Sequence, residues 1–422
     1  MIDSRIPGFY RLPLHERRVL LQERLGLTAD EVCALDGGLD AAAADHVIEN
    51  VIGTYGLPLG LVLNVRVNER DYLVPMCVEE PSVVAAASNG ARMAREGGGF
   101  RADADPPVMI AQVQLLDVPD VQTATRRVRE QAAEILAAAD RTQPDLLAHG
   151  GGCRGLEVRD VGEMLVVHLK VDCRDAMGAN MVNTMVEAVA PLLAELSGGR
   201  PLLRILSNLA DQRKVRVRAR VPLAALAPDG DGGAVRDAIV VASRFAGLDP
   251  YRAATHNKGI MNGVDPVVIA TGNDWRSVEA GAHAFAARSG AYRPLAVWHA
   301  ADAAPDADLV GQLEMPMALG IVGGTLRGHP GARLALRILG VTTAAELGMV
   351  VAAVGLASNL AALRALASEG IQRGHMRLHA RSVALSAGAT GGEVERVATA
   401  MIAARDVSPV RAAAELARVR AG

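Results

Sequence analysis

An α+β fold is predicted for this 422-residue chain by three features of its sequence. Residues 107–207 run strand, helix, strand, strand, helix, strand, the split β-α-β-β-α-β order of ferredoxin-like domains, between loop signals at 103–107 and 207–211. Residues 347–363 form an uncharged run between Glu346 and Arg364, which reads as a long central helix. The last fifty residues are alanine-rich and helical in spacing. The expected organisation is a large, mainly helical domain built from 1–106 and 208–372, an inserted domain at 107–207, and a small helical flap at 373–422.

Helical spacing predicts helices over 14–26 and 41–54. Alternation from Leu61 to Val74 about Asn68-Glu69-Arg70 predicts a hairpin. Residues 81–95 read as a helix with Pro81 in its first turn, ended by Gly97-Gly98-Gly99. Within the insert the expected elements are a strand at 108–118, one helix at 122–139, strands at 156–161 and 164–171 about Gly162, a helix at 178–196 and a strand at 202–206. Lys214–Val221 alternates charge with valine, a strand with one wet face. The run at 229–233, Asp-Gly-Asp-Gly-Gly, is a loop without the ligand spacing of an EF-hand. Helix dominates 341–368, and the glycines at 370 and 374 interrupt it. The run at 347–363 holds Gly348, Gly355, Ser358 and Asn359 and falls short of a membrane span, so burial in a core is expected.

Composition narrows the function classes. Apolar residues make up 50% but aromatics only 3%, so alanine, valine and leucine must fill the cores. A net charge of −3 leaves no basic footprint for nucleic acid, and few aromatics leave no base-stacking platform. Cys33, Cys77, Cys153 and Cys173 are scattered without CxxC or metal spacing, as expected of a reducing cytoplasm. The first residues lack the apolar stretch of a signal peptide.

Six short stretches carry polar chemistry. Lys258 is one of only three lysines among 44 basic residues, and it lies in the dense polar run 255–263. It reads either as an ammonium doing what a guanidinium cannot, or as a solvated lysine beside a glycine-rich turn. Glu79-Glu80-Pro81-Ser82 precedes a helix: either a solvated cap, or, given the apolar run 83–87, a carboxyl turned inward with a raised pKa for general acid work. In Asp175-Ala176-Met177-Gly178-Ala179-Asn180, Gly178 opens a helix whose amides suit a phosphate; an ordinary aspartate cap is the alternative. Residues 320–325 form a second backbone-rich loop, and neither loop fits the Rossmann or P-loop pattern. Gly272-Asn273-Asp274-Trp275 lies far enough beyond Lys258 to return to the same site. His375 and His379 share a helix face, but Met376 stands where a zinc motif needs glutamate, so His375 reads as an acid/base group near the Gly374 hinge and no metal is expected.

Together, ENVIG (49–53), EEPSVVAAAS (79–88), DAMGAN (175–180), RILSNLAD (204–211), YRAATHNKGIMNG (251–263), TGNDW (271–275) and GHM (374–376) resemble class II, bacterial 3-hydroxy-3-methylglutaryl-CoA (HMG-CoA) reductase over essentially the whole chain. The resemblance implies interconversion of HMG-CoA with mevalonate and coenzyme A, by two hydride transfers through a mevaldehyde stage. It implies Glu80, Lys258, Asp274 and His375 as catalytic groups. Lys258 would hold the developing alkoxide. Glu80 would move the proton at the aldehyde stage, Asp274 would orient Lys258, and His375 would protonate the departing thiolate. Ser82, Arg252 and Asn262 would bind substrate, and Asp175, Met177, Gly178, Asn180 and Asn208 the dinucleotide, on the inserted domain. A homodimer with sites at its interface is implied as well.

Three departures from the family pattern stand out. Gln143 occupies the position of an aspartate that contacts the adenosine ribose in NAD-preferring relatives; with Arg141 near, NAD is expected and NADP is possible. Ser358 replaces a glutamine near coenzyme A, and residues 300–308 form a longer surface loop. Two other readings are a catalytically silent acyl-CoA or dinucleotide-binding protein on the same fold, and a thiolase-like acyl transferase using Cys153. The direction of the reaction is left open by the sequence.

Overall fold

In a computed structural model, residues 3–36, 38–228, 230–323, 326, 328–368 and 371–421 are described, with side chains for all of these except 371–378. The α+β class holds. In chain order the principal elements are α1 (Leu14–Leu25), β1 (Leu59–Val67), β2 (Arg70–Cys77), α2 (Val83–Glu96), β3 (Phe100–Ala104), β4 (Val108–Leu116), α3 (Val121–Glu130), α4 (Ala132–Asp140), β5 (Gly152–Val161), β6 (Met164–Asp172), α5 (Ala179–Ser197), β7 (Arg200–Leu206) and β8 (Lys214–Val221). There follow α6 (Gly232–Leu248), α7 (Pro250–Ala270), α8 (Trp275–Ala286), β9 (Ala296–Ala300), β10 (Leu309–Pro316), α9 (Ala344–Ala367), α10 (Ile371–Ser386), α11 (Gly392–Ala403) and α12 (Pro409–Ala421).

The stretch from β4 to β7 forms a four-stranded sheet in the order β5-β6-β4-β7, antiparallel throughout, which is the ferredoxin-like order. Alternate residues Met109, Ala111, Val113 and Leu115 of β4 face inward. They meet Val182, Val186, Val189 and Leu193 of α5, which share one helix face. The second sheet has the order β2-β1-β3-β8-β10-β9. Its hairpin turn at Asn68-Glu69 has both residues at positive φ (47° and 69°), the geometry that matches strand twist.

The central helix α9 is long and apolar enough to cross a bilayer, yet 72% of its most apolar stretch is buried inside the fold. Two helices approach it without side chains between them. A Cβ on Gly90 of α2 would lie 1.9 Å from the Ala357 carbonyl oxygen, and one on Gly263 of α7 would lie 2.6 Å from that of Val354. These contacts fix α2, α7 and α9 against each other, and the first candidate site is built from this trio. The helices α10, α11 and α12 bury a small core of their own around Ala384, Val397, Met401 and Leu416.

Several expected elements differ. The helix expected at 41–54 is one turn, Ala41–Ala44. Beyond it Ile48, Ile52 and Tyr55 find nothing to pack on and are exposed, and Asn50 has positive φ. Pro81 is not in a first helical turn: α2 begins at Val83, because Ser82 takes a left-handed conformation (φ 75°). The single helix expected at 122–139 is two, broken at Gln131. Strands β3, β9 and β10 were not foreseen; the residues at 301–308 connect β9 to β10. Gly374 does not interrupt the chain as a hinge, since α10 runs through it from Ile371. Asp229, Gly324, Thr325, Glu369 and Gly370 lie outside the described residues.

Candidate active site

Lys258 is on the middle of helix α7, not in a loop. The polar run around it has two jobs. His256 and Asn257 point inward and anchor the helix: His256 Nε2 lies 3.0 Å from the Ala296 carbonyl oxygen, and Asn257 Nδ2 donates to the Arg293 carbonyl at 3.0 Å. Burial, with Arg252 nearby, holds the His256 imidazole down to about 4, so it is neutral. Lys258 and Asn262 instead face a cavity of about 270 Å³ between α2, α7 and α9.

In that cavity Lys258 Nζ donates to Glu80 Oε2 at 2.9 Å. Glu80 is therefore an ion-paired carboxylate at the cavity wall and not, as one reading had it, a carboxyl buried among apolar side chains. Ser82 lies beside it. Its backbone is strained at positive φ, and its buried Oγ has no hydrogen-bond partner among the described residues. Arg252 contributes a guanidinium with no carboxylate partner among the described residues, its pKa lowered by burial. Ser358 completes the wall from α9. The arrangement offers one free cation for a carboxylate, one orphaned hydroxyl, and an ammonium–carboxylate pair between them. That set suits a carbonyl that gains negative charge while a remote carboxylate is gripped.

A second cavity, of about 580 Å³, is built from loops. It brings together the three backbone-rich stretches read separately in the sequence: 176–181 at the start of α5, 272–276 at the start of α8, and 320–323. Hydrogen bonds join them. Ile321 donates its amide to the Asp175 carbonyl (2.9 Å), and the Asn273 side chain spans to both backbone groups of Gly320 (2.8 and 3.1 Å). A Cβ on Gly320 would lie 2.5 Å from the Met177 nitrogen, so only glycine leaves that amide uncovered. Met177, Gly178 and Asn180 line this cavity. The Asp175 carboxylate instead accepts from the Ala344 amide at the start of α9 (2.8 Å). Asn208 accepts from Ser277 Oγ (2.9 Å), and Gln143 precedes the turn Pro144–Ala148; neither is in the wall.

The spacing between Lys258 and Asp274 was misread. Helix α7 does not turn back; it continues to Ala270. At about 1.5 Å per residue, the 12 steps from Lys258 to Ala270 alone cover about 18 Å. Asp274 therefore belongs to the loop-built cavity. There it caps α8 by accepting from the amides of Arg276 (3.1 Å) and Ser277 (3.2 Å). His375 lies on α10, with its side chain outside the described residues. Cys153 is no nucleophile: burial, and Asp140 beside it, push its thiol far above the ordinary range. Sequence reasoning missed Arg213, whose guanidinium is buried behind the loop-built cavity, and only its place in the run 211–214 could have marked it.

The profile of the hydroxymethylglutaryl-coenzyme A reductase family matches residues 13–380. The chain belongs to this family. It is 51% identical over 407 residues to the 3-hydroxy-3-methylglutaryl-coenzyme A reductase of Archaeoglobus fulgidus, covering 95% of this chain and 91% of that protein. It is 35% identical to a probable reductase of Borreliella burgdorferi over 80% of this chain and 77% of that one. The fold superposes on the reductase of Streptococcus pneumoniae with a TM-score of 0.84, at 42% identity, over 98% of this chain and 99% of that structure. A second structure of the class II enzyme from that organism, bound to NADPH in open conformations, gives 0.83 at 43% identity over 86% of this chain and 99% of its own. The chain is accordingly a class II oxidoreductase of the hydroxymethylglutaryl-CoA reductase family.

Proposed function

We propose that this enzyme interconverts HMG-CoA with mevalonate and coenzyme A, in two hydride transfers through a mevaldehyde stage. The acyl group would bind in the helix-built cavity. Arg252 would take its free carboxylate, and Ser82 and Asn262 would hold its oxygens. Lys258 would stabilise the alkoxide as it forms, and Glu80, already bonded to Lys258, would give or take the proton at the aldehyde oxygen. His375, from α10, would protonate the coenzyme A thiolate. The observation that carries this reading is the Glu80–Lys258 pair beside an unpaired arginine and an orphaned hydroxyl.

The loop-built cavity would hold a nicotinamide dinucleotide, which supplies or accepts the hydride. Its fit rests on the uncovered amide at Met177 and on Gly320, whose missing side chain leaves the cradle open. Because α7 separates Lys258 from Asp274 of the same chain, we propose a homodimer in which each acyl cavity is completed by the partner's Asp274. The exposed apolar residues Ile48, Ile52 and Tyr55 support such self-association.

NAD is the expected carrier, with the adenosine end reaching beyond the loop-built cavity to Gln143, whose neutral side chain can bond a ribose hydroxyl. The NADPH complex of the S. pneumoniae relative favours NADP as the second reading. Following reduced-nicotinamide absorbance with HMG-CoA tests the activity, and mevalonate plus coenzyme A tests the reverse. A silent binding protein would give no change in either direction. Comparing kcat/KM for the two carriers decides the second point: Gln143→Asp should sharpen NAD preference by about tenfold, one polar contact's worth. A wild type that prefers NADP, and loses that preference in Arg141→Ala, contradicts the NAD assignment.

A further inference from the structure

We infer that Arg213 is a positioning residue that supplies the buried positive charge of the loop-built cavity, acting on an anionic diphosphate through the peptide units of 176–178. The inference rests on the reading of that cavity as the dinucleotide site.

Arg213 is only 4% exposed and makes no direct ion pair among the described residues, although the Asp172 and Asp175 carboxylates are near enough to favour its charge. Its guanidinium donates instead to three backbone carbonyls: Ala176 (3.1 Å), Met177 (3.3 Å) and Leu319. Two belong to the 176–178 loop and the third to the segment after β10 that leads into Gly320, so one side chain ties both loops together. Burial lowers its pKa to about 10, which leaves it charged at neutral pH. Its direct partners are carbonyl dipoles, and the Asp172 and Asp175 charges nearby offset only part of the cost of its burial, so a further anion facing the same loop is favoured.

The peptide geometry shows where that anion would sit. In a trans peptide the N–H points opposite to the C=O. The carbonyls of Ala176 and Met177 aim at Arg213, so the amides of Met177 and Gly178 aim away from it. The amides of residues 178–181 have no hydrogen-bond partner among the described residues, and all four residues line the cavity. Helix α5 adds its positive end behind them, with no side-chain cap. Arg213 therefore holds the loop with its free amides outward and polarises those same peptides. A diphosphate bridge carries the charge and the acceptor oxygens this cradle lacks.

The test compares two variants that keep hydrogen-bond donors but differ in charge. Arg213→Lys retains the cation, whereas Arg213→Gln retains a donor without it. Binding of NADH, NADPH and inorganic pyrophosphate is measured by fluorescence and competition, with coenzyme A as the control for folding. Arg213→Gln should weaken all three phosphate ligands about tenfold, the scale of one partly screened charge, and should flatten their salt dependence. Arg213→Lys should recover most of the loss, and coenzyme A affinity should stay at the wild-type level. Equal affinities in the Lys and Gln variants would overturn the inference. Gly320→Val separates the two failures, since its side chain would fill the cradle. If it abolishes dinucleotide binding while Arg213→Gln does not, only the role of Arg213 falls. If it leaves dinucleotide binding intact, the cavity assignment falls and the inference with it.

Discussion

The two cavities of this enzyme are built by opposite means. The helix-built cavity, proposed for the acyl group, stands on three helices that touch backbone to backbone, with Gly90 and Gly263 pressed against α9. The polar groups lining it are side chains, among them Glu80, Ser82, Arg252 and Lys258, the working groups proposed above. The loop-built cavity, proposed for the dinucleotide, is made of three loops tied by hydrogen bonds, and it offers mainly backbone amides. A side-chain site needs a rigid frame, because its reacting atoms must be placed to a fraction of an ångström. An amide cradle recognises charge and shape, and glycine at the points of close approach matters more than any single side chain.

That contrast predicts where each site breaks. The largest effect should come from Lys258→Arg, which keeps the charge but not the compact ammonium held by Glu80. Loss of one oxyanion donor costs roughly 10²–10³ in kcat. The protein should stay folded and bind dinucleotide normally, and turnover near that of wild type would remove Lys258 from the chemistry.

The frame comes next. Gly263→Ala places a Cβ 2.6 Å from the Val354 carbonyl, with no flexible atom to yield. A destabilisation of about 1–3 kcal/mol is expected, as for overpacked cores, together with a raised KM for HMG-CoA. An unchanged melting temperature would show that α7 and α9 can separate freely.

The smallest effect lies toward the far end of α7, beyond the residues that line the helix-built cavity. Asp265 of α7 is half-buried beside Glu279 of α8, which in turn pairs with His283 (2.5 Å). Burial first, and Glu279 second, raise the Asp265 pKa far above the carboxylate range, so the fold favours its neutral form. Its contribution to stability is complete below the ordinary carboxylate pKa and declines as pH rises toward the raised value. Asp265→Asn should therefore lose less melting temperature than wild type from mildly acidic to alkaline pH. Parallel pH curves would contradict the burial argument.

The same contrast explains what the sequence made legible. The insert's element order could be read because each strand and helix shows its own period, as in Met109 to Leu115 and Val182 to Leu193. The residues of the acyl cavity were readable as motifs, since Ser82, Arg252, Lys258 and Asn262 occupy one wall. What failed was geometry over distance. The polar run at 255–263 looked like a loop because its inward polar groups, His256 and Asn257, bond to β9 and its approach, partners that no local pattern announces. The spacing from Lys258 to Asp274 suggested one site because the continuation of α7 to Ala270, through Pro266 and against α9, is tertiary information. The helix expected at 41–54 did not form because its apolar residues have no surface in this chain to cover.

The central claim is that an active site needs two copies of the chain, with Lys258 from one and Asp274 from the other. Mixed dimers test it directly. Lys258→Arg and Asp274→Asn, each inactive alone, are unfolded together, refolded at equal amounts, and assayed for HMG-CoA-dependent oxidation of reduced nicotinamide. If sites are shared, half of the dimers are hybrids and each hybrid has one intact site, so activity should return to about one quarter of wild type. If each site is complete within one chain, no hybrid contains an intact site. Activity no higher than that of the parent variants would then contradict the account.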